Sequence, residues 1–174
     1  MIFILSKIIK EKLKEKNIYN KETYENYFRK YIYIISYLIK EYADTINERF
    51  IDLLLKSKNI DIGLYLINSE FKIKDIIGFC IYSNTGIKKE KIYLLLFCIK
   101  KTYRKFGYGK TFLEEFIEYM KIQNKQKIIT HSIDESIKFY KFIGFIISNK
   151  IYNYKKIFEF EKYNKNAKIL ELIL

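Results

Sequence analysis

Ile92-Tyr-Leu-Leu-Leu-Phe-Cys-Ile99, followed by Lys100-Lys-Thr-Tyr-Arg104-Lys-Phe-Gly107-Tyr-Gly109-Lys110, is the stretch that decides how the chain folds. Residues 92–99 are apolar without a break, the pattern of a strand covered on both faces. From Lys110 to about Asn124, the side chains Phe112, Leu113, Phe116, Ile117 and Met120 recur at helical spacing and form one stripe. The junction from Ile99 to Gly109 must turn the strand into the helix, and Gly107 and Gly109 remove side chains where the backbone turns tightly. A helix begins with amide N–H groups that lack partners and with the positive end of its dipole. A strand, a glycine-spaced turn and a helix in this order therefore predict a cradle for a phosphate-bearing ligand.

Composition sharpens that reading. The 174 residues suit a single domain with a sizeable core, and 49% hydrophobic residues argue against a disordered chain. The net charge of +13 invites a nucleic-acid or anionic-membrane partner. Of the 33 basic residues, however, only Arg29, Arg49 and Arg104 are arginine, while Ile, Asn and Tyr abound and Pro is absent. This is the profile of a strongly AT-rich coding sequence. Selected recognition of phosphates or bases favours the planar guanidinium, so the lysines read as a solvated surface and nucleic acid is disfavoured as a partner. Against this background, one of three arginines and two of six glycines fall within six residues at the junction.

Cys80 and Cys98 each lie in an apolar, strand-like run with neither metal-ligand spacing nor a disulfide framework, which suits buried free thiols and no metal. Met1 to Leu5 is apolar, but Lys7 and Lys10 cut it short of a signal-peptide core, and no run is long enough to span a bilayer. The expectation is a cytoplasmic protein.

Working outward, Ile2 to Ile9 reads as a first strand. Asn20 caps a helix running to about Tyr42 with a stripe of tyrosines, and Asp44 or Thr45 with Glu48 opens a second helix. Ile60–Ile67 and Lys72–Tyr82 read as strands joined at Asn68-Ser69-Glu70, and Asn84-Thr-Gly86 makes the next turn. Past the junction helix, Lys127–His131 is a short strand. Ser132–Ile143 is a helix with Ser132 and Glu135 as a capping box and Gly144 as its stop. Phe145–Ser148 and Lys150–Phe160 read as a final strand pair, and the tail to Leu174 is left unassigned. This order predicts an α+β, mixed α/β fold.

Arg104-Lys-Phe-Gly107-Tyr-Gly109 matches a motif of Arg or Gln, two residues, Gly, one residue, and Gly or Ala. About 35 residues later the chain carries Phe139-Tyr140-Lys-Phe-Ile-Gly144-Phe145. With both motifs in this order and spacing, the chain resembles the GNAT superfamily of N-acetyltransferases, closely over residues 60–150 and loosely before them. The resemblance implies one GNAT-like domain over residues 1–174. Its central sheet would be twisted, mixed and mostly antiparallel, of six to seven strands, with helices on both faces.

The resemblance further implies acetyl-CoA as co-substrate and direct acetyl transfer to an amine-bearing acceptor, a small molecule or a peptide, without a metal. The backbone from Arg104 and Lys105 through Phe106, Gly107, Tyr108 and Gly109 to Lys110 would hold the pyrophosphate. The strand edge at Phe97, Cys98 and Ile99 would pair with the pantetheine arm like an added strand, and an N–H there would stabilise the oxyanion. Tyr140 corresponds to the superfamily's general acid. A carboxylate that often serves as base on the fourth strand is missing here, and His131, the lone histidine, stands beside a helix N-terminus that favours a neutral, proton-accepting imidazole. Glu90 is a fainter candidate. Ile133 occupies a slot where the superfamily often has Asn, and Lys101 one where it often has Pro. The missing carboxylate motivates a second reading, an inactive CoA-binding module. The acceptor and the oligomeric state are not specified by these residues.

Overall fold

The computed structural model describes residues 2–16, 22–23, 25–26, 29, 60–68, 73–85, 90–149 and 167–174. They form strand β1 (Ile2–Ile4), helix α1 (Leu5–Glu15), strands β2 (Ile60–Leu66), β3 (Ile76–Thr85) and β4 (Lys91–Ile99), and helix α2 (Tyr108–Ile122). Strand β5 (Lys127–Ser132), helix α3 (Asp134–Ile143) and strands β6 (Ile146–Ile147) and β7 (Lys168–Ile173) complete them. The strands make one seven-stranded sheet in the order β1-β2-β3-β4-β5-β7-β6. The β4–β5 pair is parallel, and the other pairs among the described strands are antiparallel. The architecture is the α+β, mixed but mostly antiparallel sheet that the sequence implies.

Helix α2 forms the crossover that a parallel pair requires. Its stripe of Phe112, Leu113, Phe116, Ile117 and Met120 is buried as the spacing predicts. With Ile137 and Tyr140 of α3 it packs on Ile92 and Leu94 of β4, Ile128 of β5 and Leu170 of β7. Phe112 is the centre of this layer, its ring stacked between Tyr65 and Phe97 at 4.9 Å from each. Gly144 closes α3 in the left-handed conformation (φ 109°), and its N–H and that of Phe145 satisfy the carbonyls of Lys141 and Tyr140.

Three sequence expectations change. Ile2–Ile9 is not one strand, because the chain turns helical at Leu5 and buries Ile8 and Leu13 with Lys10, Glu11 and Lys14 outside. Helix α3 starts at Asp134 with no side-chain cap; Ser132 ends β5 and its hydroxyl bonds the Ile133 carbonyl instead of closing a capping box. The partner of β6 is β7 at Lys168–Ile173, inserted between β5 and β6. Boundaries also shift: β3 begins at Ile76 after a short 3-10 turn at Ile73–Asp75, runs through Thr85, and α2 begins at Tyr108. Of the helix expected from Asn20, Glu22, Thr23, Glu25, Asn26 and Arg29 are described and are helical; its other residues, the second helix and the strand expected at Lys150–Phe160 lie outside the described residues.

Candidate active site

The site begins where β4 and β5 part. They pair in register from Lys91↔Lys127 to Leu94↔Thr130 and no further, whereas β4 keeps β3 as far as Gly78↔Ile99. Between the pairs Tyr82↔Leu94 and Ile81↔Leu96 the register shifts, so Leu95 is an extra residue on β4. A bulge of this kind bends and twists the strand that carries it. It sits one residue beyond the last rung with β5, where the bend is needed for the strands to diverge. Among the described residues, the segment Leu95–Ile99 thus has one edge without a strand partner.

The main-chain direction on that edge follows from one hydrogen bond. The Lys100 N–H donates to the Ile77 carbonyl at 2.8 Å on the β3 side. Successive residues of a strand point their backbone groups to opposite edges, so Phe97 and Ile99 turn theirs toward the opening. The Ile99 carbonyl there accepts the Arg104 Nε–H at 2.9 Å. Arg104 therefore folds the turn back onto the strand it leaves.

The turn itself reverses the backbone twice. Lys105 (φ 70°) and Gly107 (φ 85°) are both left-handed, and such reversals turn successive N–H groups into a shared concavity. Gly107 is the residue before the first turn of α2, and no side chain caps that terminus. The Thr111 N–H donates to the Gly107 carbonyl at 3.2 Å, and the amides before it, at the start of α2, have no carbonyl one helical turn back to bond. The two glycines serve different needs. Gly107 is required by its φ, since a Cβ there would meet nothing within 4 Å. Gly109 has ordinary backbone angles, and a Cβ there would touch only Ile99 at 3.6 Å and Phe139 at 3.7 Å.

Tyr140 of α3 lies behind the parting strands. It is buried, in edge contact with Phe139 and Phe145. Burial pushes its phenol well above the usual range, and a side-chain hydrogen bond with Thr130 partly opposes that rise. The group therefore keeps its proton at neutral pH, as an acid must. Thr130 is itself buried and donates to the Leu94 carbonyl at 2.9 Å. Phe97 stacks on Phe139, with centroids 5.9 Å apart, and so joins the open strand edge to α3.

His131 follows Thr130 and points to the other face of the sheet, as alternation demands. Its Nδ1 hydrogen-bonds the buried Tyr93 phenol, and the rings meet edge to face. Cys98 is half-buried on the open segment. Burial pushes its thiol up to about 12 despite the opposing pull of Arg104, so it is not a nucleophile at neutral pH. Glu90 lies before β4, away from the parting point, with one carboxylate oxygen buried.

The residues expected from sequence fall into two groups. The strand edge, the turn from Arg104 to Lys110 and Tyr140 converge on the end of β4, whereas His131 stands next to that point on the opposite face. Sequence reasoning missed Tyr93 and Thr130, although a hydroxyl in the apolar run before the lone histidine was a visible signal.

Residues 18–145 match the model of a family described as Acetyltransferase (GNAT) family. The chain belongs to the GNAT acetyltransferase family. Among solved structures, this GNAT chain is similar to Tetrahymena Gcn5, at 17% identity over 75% of this chain and 78% of that one, with a TM-score of 0.57. It is also similar to the ribosomal-protein-S18-alanine N-acetyltransferase from Escherichia coli, at 15% identity over 82% and 86% of the chains, with a TM-score of 0.58. A third is a GNAT family acetyltransferase from Elizabethkingia anophelis with acetyl-CoA bound, at 18% identity over 74% and 84%, with a TM-score of 0.54. At these identities the likeness is one of fold. A comparison with curated proteins gave no match. The helices of the described residues include none long and apolar enough to cross a membrane.

Proposed function

We propose that this GNAT protein is a single-domain N-acetyltransferase that moves the acetyl group of acetyl-CoA directly to a primary amine. The observation that carries the reading is the parting of β4 from β5 after Leu94, with the open strand edge leading straight into an uncapped helix N-terminus. Such an edge accepts an extended amide-bearing arm as a further strand, and the terminus accepts the pyrophosphate at the arm's far end. The amides from Lys105 to Lys110 hold the phosphates, with Phe106 and Tyr108 in that loop. Phe97, Cys98 and Ile99 line the arm.

Transfer requires a neutral amine, a polarised carbonyl and a protonated leaving group. A main-chain N–H of the open edge polarises the thioester carbonyl. His131, whose Nδ1 hydrogen-bonds the Tyr93 phenol, takes the amine proton; in the tautomer whose Nδ1–H is the donor in that bond, Nε2 carries the accepting lone pair. The carbon–nitrogen bond forms, the carbon–sulfur bond breaks, and Tyr140 gives its proton to the departing thiolate. A thiol has an ordinary pKa of about 8.5, so it is a tolerable leaving group that the phenol need only assist.

Incubation of the protein with acetyl-CoA and a panel of peptides, aminosugars and small primary amines, followed by thiol release, tests this. Release above the amine-free rate with at least one amine is expected. No release, together with no thermal stabilisation by CoA, would contradict it. The absence of a carboxylate on Lys91–Ile99 favours a second reading, a CoA-binding module without turnover, which predicts stabilisation by CoA but no release with any amine.

A further inference from the structure

His131 is the first residue of β5 beyond its last rung with β4, Leu94↔Thr130, and on its other side it pairs with Ile169 of β7. Tyr93 stands opposite Ile129, two residues before His131, so the two side chains share a face of the sheet and lie one diagonal apart. An aromatic side chain can reach across such a diagonal, and the Tyr93 phenol does so to bond Nδ1. Tyr93 is 2% exposed and stands between the buried Ile92 and Leu94. Phenylalanine would fill the same space with the same ring, so packing alone gives no reason for the oxygen. The bond to Nδ1 and the edge-to-face contact, with centroids 5.5 Å apart, together fix the imidazole plane. With Nδ1 turned to Tyr93, Nε2 lies across the ring and points away from the phenol.

We infer that Tyr93 is a positioning residue whose phenol oxygen accepts the Nδ1–H of His131 and so keeps Nε2 as the proton-accepting nitrogen where β4 and β5 part. The inference rests on the reading of His131 as base. A neutral imidazole carries one proton, so Nε2 accepts a second only when Nδ1 holds the first. Which nitrogen holds it is set by the hydrogen bond at the other. The opposite arrangement, phenol O–H to a bare Nδ1, would put the ring proton on Nε2 and leave the amine no acceptor there. When Nε2 takes the amine proton, the ring becomes a cation. Its Nδ1–H stays on the same phenol oxygen, in a bond that strengthens with the charge. Tyr93 neither gains nor loses a proton in the cycle, and Nε2 returns its proton to solvent after the amide product leaves.

His131 is the lone histidine of the chain, so labelling histidine with an NMR-active nitrogen isotope gives the spectrum of one imidazole. At mildly alkaline pH, where the ring is neutral, the wild-type protein should show the proton on Nδ1 and the lone pair on Nε2. Tyr93→Phe should move a measurable fraction of that proton to Nε2. This readout needs no turnover, so it stands whether or not an amine substrate is found. A wild-type ring protonated on Nε2, or a Tyr93→Phe ring still wholly protonated on Nδ1, would overturn the inference. Thiol release from acetyl-CoA with the best amine of the panel supplies the second arm. Tyr93→Phe should lower kcat about tenfold while KM for acetyl-CoA stays within about twofold, the mark of an interaction made in the transition state. In a His131→Gln background Tyr93→Phe should cost almost nothing more, because the two residues act as one unit. Full activity of Tyr93→Phe beside an impaired His131→Gln would overturn the role of Tyr93 and leave the base in place. Full activity of His131→Gln would overturn both. An equal loss from Tyr93→Phe in either background would make Tyr93 merely structural and overturn the inference. Should Tyr93→Phe fold poorly, the wild-type spectrum decides alone.

Discussion

The two halves of β4 carry the same kind of residue and have opposite fates. Lys91–Leu94 has a strand on each side, and Ile92, Tyr93 and Leu94 are all buried. Among the described strands Leu95–Ile99 has β3 alone, and Leu96, Phe97 and Cys98 are only half-buried. Unbroken hydrophobicity thus marks a strand without marking how many neighbours it has. The bulge at Leu95 separates the halves. The closed half is fastened from outside by the buried ion pair of Lys127 with Glu171, 2.7 Å long, in which Glu171 also accepts the Ser148 hydroxyl. The open half is followed by a turn with two left-handed residues, Lys105 and Gly107, and by the uncapped start of α2. One half is paired on both sides, and the other keeps one edge open among the described strands.

Substitutions should separate these halves. The largest effect belongs to the closed half: Lys127→Met removes the cation 2.7 Å from the buried Glu171 carboxylate and should cost about 3 kcal/mol in urea unfolding. The affinity of the folded variant for CoA should stay within about twofold, and a parallel loss of affinity would mean that the halves are not independent. At the open half, Gly109→Asp should weaken CoA binding about a hundredfold by setting a carboxylate against the pyrophosphate. Its melting temperature should hold or rise, because an acidic side chain suits the first turn of a helix and the Cβ meets only ordinary contacts. Tyr140→Phe should lower kcat about a hundredfold with CoA affinity unchanged, as loss of a general acid does. The smallest effect is that of Gly107→Ala, which puts a Cβ on a left-handed residue and should cost about 1 kcal/mol of stability.

Alkaline pH should distinguish stability from chemistry. The Cys80 and Cys98 thiols and the Tyr82 and Tyr140 phenols are all pushed up by burial, so the fold favours their protonated forms. For each, the stabilisation is complete below the unfolded value, 9.0 for the thiols and 10.0 for the phenols, and is lost as pH rises through the folded value. Unfolding free energy should therefore fall above about pH 9, by up to about 1.4 kcal/mol per pH unit for each group that titrates. Turnover should show no loss from deprotonation of Tyr140 below that range; an alkaline limb near pH 8 that is absent in Tyr140→Phe would contradict its raised pKa.

What was legible in the sequence was what local pattern decides. The α2 stripe, the glycine turn and the Gly144 stop lie within a few residues of their causes, and each forms as its spacing predicts. The misses lie where tertiary pairing decides. Ile169-Leu170-Glu171-Leu172-Ile173 is an apolar run interrupted by a carboxylate, and what makes it a central strand is Lys127, 44 residues earlier. Ile2–Ile9 alternates poorly enough to suit either period, and three residues pair with β2 before the helix takes over. In the candidate site, both motifs lie beside the end of β4, where Gly109 faces Ile99 and Phe139. The Thr130 and Tyr93 contacts were hidden because a hydroxyl in a strand has no local signature of its partner.

Amide hydrogen exchange with and without CoA tests the central claim, that the open half of β4 and the turn after it form the CoA site. On CoA addition, protection should rise in Leu95–Ile99 and from Lys105 to Lys110, while Lys91–Leu94, already paired on both sides, stays as it was. Protection that rises elsewhere and leaves both segments untouched, or that does not change at all, would contradict the account.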